Sequence, residues 1–296
     1  MQQGEEKNRL KIGLPIGSLE SATLDMMRRA GFNVYVSGRS YYPTIDDEDL
    51  EARRIRPQDM SRFVEHDVVD CGITGNDWVA ENGSDVEVVG EMSYNKQTLL
   101  PFRWVIAVPE DSPIQSVQDL QGKRISTELV NVTGRFLAEH GVEAEVEFSH
   151  GATEAKAPDI VDAVVDGTET GTSLRANKLR IVETIMTSYT HFIASRKAWA
   201  DPWKRSKIDS MYMLFQGAIA ARLKVGLKMN VGKNDLDPVL NVLPAMKQPT
   251  ISPLAGDAGY ALETIVDESV VRRIIPELKR SGASGIVEYP LNKVIP

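Results

Sequence analysis

DIVDAVVDGTETGTSLRAN, residues 159–177, passes from an alternating apolar stretch through two glycines and a cluster of hydroxyls into the start of a helix. VDAVVD, 161–166, reads as a half-buried strand, which leaves Asp166 at its carboxyl end. In open α/β sheets that end is where ligands bind. Gly167 and Gly171 let the chain turn sharply and let an anion approach backbone amides with no side chain in the way. Thr170, Thr172 and Ser173 add hydroxyl donors, and the first amides of a helix beginning near Gly171 would point at the same spot with the positive end of its dipole. Such a corner is a phosphate nest. Asp162 and Asp166, four apart, share one face of the strand. Beside a phosphate they repel it unless they accept hydrogen bonds from sugar hydroxyls or hold Mg²⁺, which takes oxygen ligands and phosphate partners. The stretch points to a phosphorylated ribose; an ordinary Gly/Thr turn capping a helix is the competing reading.

Working outward, short β-branched runs alternate with amphipathic stretches. LKIGLP reads as a strand, followed by a helix capped by Ser18 and closed by Gly31; NVYV, VVDCGIT and VEVVGEM read as strands around a helix over QDMSRFVEH. This is the rhythm of an α/β layer with parallel strands. FRWVIAVPEDSPI marks a crossing into a second α/β unit, with strands KRISTE, AEVEF and VDAVVD and a helix over VTGRFLAEH. SRKAWADPWKRSKIDSMYMLFQGAIAARL returns to the first lobe as helix, with Trp199 and Trp203 as packing residues. From residue 224 the order becomes β-α-β-β-α-β, the split unit of a ferredoxin-like domain, and Pro276 predicts a kink or break in its second helix.

A chain of 296 residues predicts two or three domains. Its charge, 34 Lys plus Arg against 42 Asp plus Glu, argues against nucleic acid or an acidic membrane as partner, because both require a broad positive field. An anionic ligand must therefore be held by local groups or a metal. MQQGEEKNRLKIGLP has no long apolar leader segment and no window reaches the length of a membrane span, so the chain reads as cytoplasmic. Cys71 reads as a small buried hydrophobe, and His66, His140, His150 and His191 lack metal-ligand spacing.

GATEAKAPDIVDAVVDGTETGTSLRAN closely resembles the signature of the ATP phosphoribosyltransferase family, RIRPQDMSRFVEHDVVDCGITGNDW resembles its N-terminal motif, and KQPTISPL with SGASGIVEYPLNKVI resembles the regulatory domain of the long form. The resemblance implies transfer of phosphoribosyl from phosphoribosyl pyrophosphate to N1 of ATP, with release of pyrophosphate and assistance from Mg²⁺, at the first step of histidine biosynthesis. Positioned donors and a metal serve such a reaction without a protein nucleophile, so no catalytic Ser, Cys or His is expected. By resemblance, Glu169, Thr170, Gly171, Thr172 and Ser173 surround the 5-phosphate, Asp166 and Asp162 lie near the ribose hydroxyls or Mg²⁺, and Glu154 matches a family acid, with Glu154 and Asp166 as the metal ligands. Arg56 matches an arginine facing the substrate phosphates, and Asp77, with Gly75 beside it, the nucleotide position. Two positions depart from the family pattern. Ile16 stands where a lysine is usual in the first glycine turn, and Asp159 where a glycine is common.

The implied architecture is a two-lobed core similar to the periplasmic binding proteins, with lobe I at 1–101 and 184–220 and lobe II at 102–183, plus a ferredoxin-like regulatory domain at 221–296. The long form binds histidine as an allosteric inhibitor and forms a hexamer in equilibrium with a dimer; Thr250, Ser252, Ala283 and Ser284 are the expected effector contacts. Two rivals are a histidine-binding regulatory paralogue without turnover, to which Ile16 lends weight, and a two-lobed solute-binding protein.

Overall fold

The computed structural model describes residues 8–92, 102–244 and 249–295. Residues 1–7, Pro101 at the expected end of the first lobe segment, and Lys247 and Gln248 of KQPTISPL lie outside the described residues. The chain divides into two compact units, one comprising the chain up to Asp25 and Phe32–Tyr212, the other Met26–Gly31 and the chain from Met213 on.

The first unit contains two five-stranded sheets. In lobe I the strand Leu10–Pro15 lies parallel to Leu50–Ile55 and to Cys71–Gly75, and Thr190–Ala194 runs antiparallel to both Cys71–Gly75 and Glu87–Glu91. Leu10, Ile12, Ile73, Phe192 and Ile193 are fully buried along these strands. In lobe II the order is Leu179–Ser188, Phe102–Pro109, Ala163–Thr168, Arg124–Thr127, Glu145–Phe148. Ala163–Thr168 is thus central, antiparallel to Phe102–Pro109 and parallel to Arg124–Thr127. Both sheets are mixed rather than purely parallel, because the chain enters and leaves lobe II on antiparallel strands. Leu179–Ser188 stays in the lobe II sheet to Ser188, and Thr190 already belongs to lobe I, so the return passage is at Tyr189. The helical return is two helices, Arg196–Ala200 and Pro202–Ala221; the Asp201 carboxylate accepts the Trp203 and Lys204 amides and starts the second.

The second unit holds an antiparallel sheet ordered Thr250–Pro253, Tyr260–Asp267, Lys224–Val231, Ala283–Pro290. With helices Leu236–Val242 and Glu268–Arg280 it buries Leu227, Met229, Val239, Leu262, Ile274 and Leu278 in one core. That strand order is the split βαβ arrangement. The helix Glu268–Arg280 runs on through Pro276 where a break is expected: the proline lies on the solvent side, while Ile274 and Leu278 anchor the helix to the sheet. No described helix is long and apolar enough to cross a membrane.

Candidate functional site

The signature strand is Ala163–Thr168, and its Ala163, Val164 and Val165 are fully buried between two apolar clusters, one on each face. Packing on both sides fixes the strand, so Asp166 is presented from a rigid carboxyl end. Thr168 is buried and its Oγ1 accepts the Gly171 amide at 2.8 Å. Gly171 is left-handed (φ 71°, ψ 12°) and opens the helix Thr172–Ala176, which Leu174 pins to the core. The Gly171 amide is therefore committed to Thr168. The donors that the corner offers a phosphate are the first-turn amides beyond it and a hydroxyl from the Thr170 and Thr172 pair, with the Ser173 hydroxyl directed to Glu154. The Thr170 and Thr172 hydroxyls lie 2.8 Å apart, and Arg175 Nη1 donates to Thr170 O at 2.9 Å. Arg175 adds a cation at this corner that sequence reasoning overlooked, although its position four residues after Gly171 leans it back over the first helical turn.

Ser173 Oγ donates to Glu154 Oε1. Burial first, then the charges of Glu154 and Glu128 and a hydrogen bond with the Glu154 carboxyl, push the Asp166 carboxyl up to about 6, against the opposing bond from the Gly167 amide. Glu128 was not anticipated, since nothing in RISTEL distinguishes it from a solvated acid. Among the described residues no three His, Cys, Asp or Glu side chains converge as a metal cage. Mg²⁺ ordinarily takes one or two carboxylates and completes its shell with water and substrate phosphates, and the Glu154 and Asp166 pair is a donor set of that type.

Asp162 does not share this site. It precedes the strand, its Oδ2 accepts the Arg124 amide at 2.9 Å, and Lys123 Nζ lies 3.9 Å from its other oxygen. Four residues of strand place it roughly 13 Å from Asp166 along the chain, at the amino end of the sheet. Its carboxylate ties two strand starts together.

In lobe I, Arg56 is exposed at the start of the helix Pro57–Glu65 and has no ion-pair partner among the described residues. Gly75 makes room for a protein group: a Cβ there would meet Asp77 Oδ1 at 2.0 Å. Asp77 itself is 4% exposed. The lobe II Trp104 indole donates to its Oδ2 at 2.7 Å and the neighbouring Trp78 amide to its Oδ1 at 2.9 Å, so the carboxylate faces protein groups where a nucleotide contact is expected. Burial raises the Asp77 carboxyl, and the bonds from Trp104, Ser188 and Trp78 oppose the shift. A group whose native value is raised contributes stability that is present below its unfolded value and lost as pH rises through the native one. Against Asp77→Asn, which cannot titrate, the wild-type chain is expected to lose stability from about pH 4 upward and level off above the raised native value. Urea unfolding of both chains across that range checks this, and a flat or rising difference contradicts it.

The four expected effector residues do not meet within one chain. Thr250 and Ser252 lie on the edge strand Thr250–Pro253, and Ala283 and Ser284 on the opposite edge strand, with two strands between. Three strand spacings are about 14 Å, more than one amino acid spans.

Comparison with known proteins matches residues 56–217 to the ATP phosphoribosyltransferase family and 221–293 to the HisG C-terminal domain. The chain is 56% identical over 286 residues to the ATP phosphoribosyltransferase of Chlorobium luteolum, covering 97% of each, and 57% identical over 288 residues to that of Chlorobaculum parvum, covering 97% of this chain and 98% of the relative. Among solved structures it resembles the ATP phosphoribosyl transferase (HisG:HisZ) complex from Thermotoga maritima, with a TM-score of 0.60 and 25% identity, covering 70% of this chain and 96% of that one.

Proposed function

The chain belongs to the ATP phosphoribosyltransferase family, in the long form that carries the HisG C-terminal domain, and from that premise we propose which residues handle each part of the substrates. The enzyme transfers phosphoribosyl from phosphoribosyl pyrophosphate to N1 of ATP, the first step of histidine biosynthesis, on a two-lobed core of the periplasmic-binding-protein type with a regulatory domain.

In our reading the 5-phosphate sits in the corner formed by Glu169, Thr170, Gly171, Thr172 and Ser173, with Glu169 contributing backbone and Arg175 adding charge. Asp166 accepts from the ribose hydroxyls. Mg²⁺, held between Glu154, Asp166 and the substrate, would neutralise charge on the departing pyrophosphate. Arg56 approaches the substrate phosphates from lobe I; Asp77 and Gly75 act on the nucleotide side only indirectly, through the packing around Trp104. The observation that carries this reading is the left-handed Gly171, which follows the rigid strand Ala163–Thr168 and opens a helix in a corner lined with hydroxyls near Asp166. The test is to mix the protein with ATP, phosphoribosyl pyrophosphate and Mg²⁺, with pyrophosphatase present, and follow phosphoribosyl-ATP. Histidine binding without product would instead identify the regulatory paralogue for which Ile16, in place of the family lysine, gives a reason. The reaction's phosphorylated substrates are the ground for placing the enzyme in the cytoplasm.

Because the two edge strands are so far apart, the histidine site is best read as shared between copies, Thr250 and Ser252 from one and Ala283 and Ser284 from another, in the hexamer that exchanges with a dimer. Ser252→Arg and Ser284→Arg should each abolish histidine inhibition. After subunit exchange, a mixture of the two should regain a part of it, because some interfaces then pair two intact edges. No recovery on mixing would return the site to a single chain.

A further inference from the structure

The helix Asn76–Asn82 follows GITG in lobe I, yet most of its side chains serve lobe II. Trp78 and Ala80 pack against the lobe II core, and the Trp78 ring meets Trp104 edge-on at 6.0 Å. One turn further, Glu81 is 9% exposed. Its Oε1 accepts the Asn131 amide and its Oε2 the Val132 amide, each at 2.9 Å. These are first-turn amides of the lobe II helix Val130–Glu139, whose own N-cap, Leu129, supplies no side-chain cap. Asn131 Nδ2 returns a bond to Glu81 O at 3.0 Å, and Arg135 Nη2 donates to Ala80 O at 2.6 Å. On the other flank, Asn82 Nδ2 donates to Gln58 O at 2.8 Å and Ser61 Oγ at 2.9 Å, on the helix Pro57–Glu65.

One short helix thus joins the lobe I helix that starts beside Arg56 to the lobe II helix that starts just after Glu128. A carboxylate receiving two amides at a helix N-terminus is held by charge-assisted bonds and the helix dipole, and buried as it is, it has no alternative partner in water. We propose that Glu81 is a positioning residue for the transfer: by capping the helix Val130–Glu139 across the lobes, it sets the distance between Arg56 on lobe I and Asp166 with its phosphate corner on lobe II. It touches neither substrate. The inference rests on the site proposed above, and it goes beyond it by naming what holds the two halves in register.

The phosphate corner belongs wholly to lobe II, so phosphoribosyl pyrophosphate alone should bind Glu81 variants nearly as well as wild type. Transfer needs both lobes, and a misplacement of about 1 Å costs on the order of 100-fold in rate. Glu81→Ala should therefore lower kcat by about that factor, with affinity for phosphoribosyl pyrophosphate, measured by titration calorimetry, within about twofold. Glu81→Gln is nearly isosteric, keeps one acceptor and should fall between. Circular dichroism confirms that each variant is folded, and the Gln variant decides the question should the Ala variant not fold. An unchanged kcat in a folded variant overturns the proposal, as does a loss of phosphoribosyl pyrophosphate binding that tracks the loss of rate. If Gly171→Val leaves that binding intact, the site reading itself fails, a result that the Glu81 variants do not imitate.

Discussion

A chain with valine at position 171 is expected to bind phosphoribosyl pyrophosphate at least about 100-fold more weakly than wild type while its lobes stay folded. Gly171 sits at φ 71°, a region that a β-branched residue enters only with strain of roughly 1–3 kcal/mol. A Cβ would also meet Arg175 Nη1 at 3.0 Å and Ile181 Cδ1 at 3.5 Å. Relief of the strain turns the 171 amide away from Thr168 Oγ1, and relief of the contact pushes the guanidinium off Thr170 O. Both bonds shape the corner, so the hydroxyls and first-turn amides lose their common target. Leu174 and the strand Ala163–Thr168 keep their own packing, which confines the damage to the ligand. Calorimetric titration with phosphoribosyl pyrophosphate beside a thermal melt separates the two effects. Unchanged affinity in the valine chain removes the corner from the mechanism.

Elements whose cause is local were readable from the residues. The corner followed from glycines and hydroxyls within a dozen positions, and the third domain from the change in strand and helix order at residue 224. Where the cause is a distant partner, reading failed. The strand Leu50–Ile55 was not recognised, because Glu51, Arg53 and Arg54 interrupt its apolar residues; Arg53 reaches Tyr42 and Arg54 reaches Glu20, which makes a charged strand tolerable. The signature strand begins at Ala163, not Val161, since the backbone and side chain before it are drawn to Arg124. Asp162 is thereby tied to Arg124, roughly 13 Å along the chain from Asp166. Asp77 meets Trp104 27 positions away, and Glu81 meets Asn131 50 away, contacts that only the folded lobes create.

Asp166→Asn is expected to cost on the order of 100- to 1,000-fold in kcat/KM for phosphoribosyl pyrophosphate and at the same time to make the protein more stable at neutral pH. The side chain has little freedom to move: residue 166 pairs with Val105 in the sheet centre, and Gly167 next to it lies so near the Phe102 ring that a Cβ would stand 2.2 Å from Cζ. Asparagine keeps an acceptor for the Gly167 amide, which Asp166 Oδ1 accepts at 2.7 Å, so the local backbone is preserved. What disappears is the charge that the ribose hydroxyls and the metal would use. That charge opposes folding: burial first, and the neighbouring acids after it, raise the carboxyl from 3.8 to about 6. A raised acid stabilises the native state below its unfolded value and ceases to do so as pH climbs through the native one. At pH 7 the wild-type chain therefore carries a penalty, which the asparagine chain lacks, of roughly 1–2 kcal/mol once solvent screening is discounted. The stability gap should close as pH falls from about 7 toward about 4, as read by urea unfolding without metal or substrate. A carboxylate whose charge opposes folding, set beside a phosphate corner, has the signature of a functional group. An asparagine chain that is equally active, or less stable at pH 7, would leave Asp166 as an ordinary strand residue and move the sugar elsewhere.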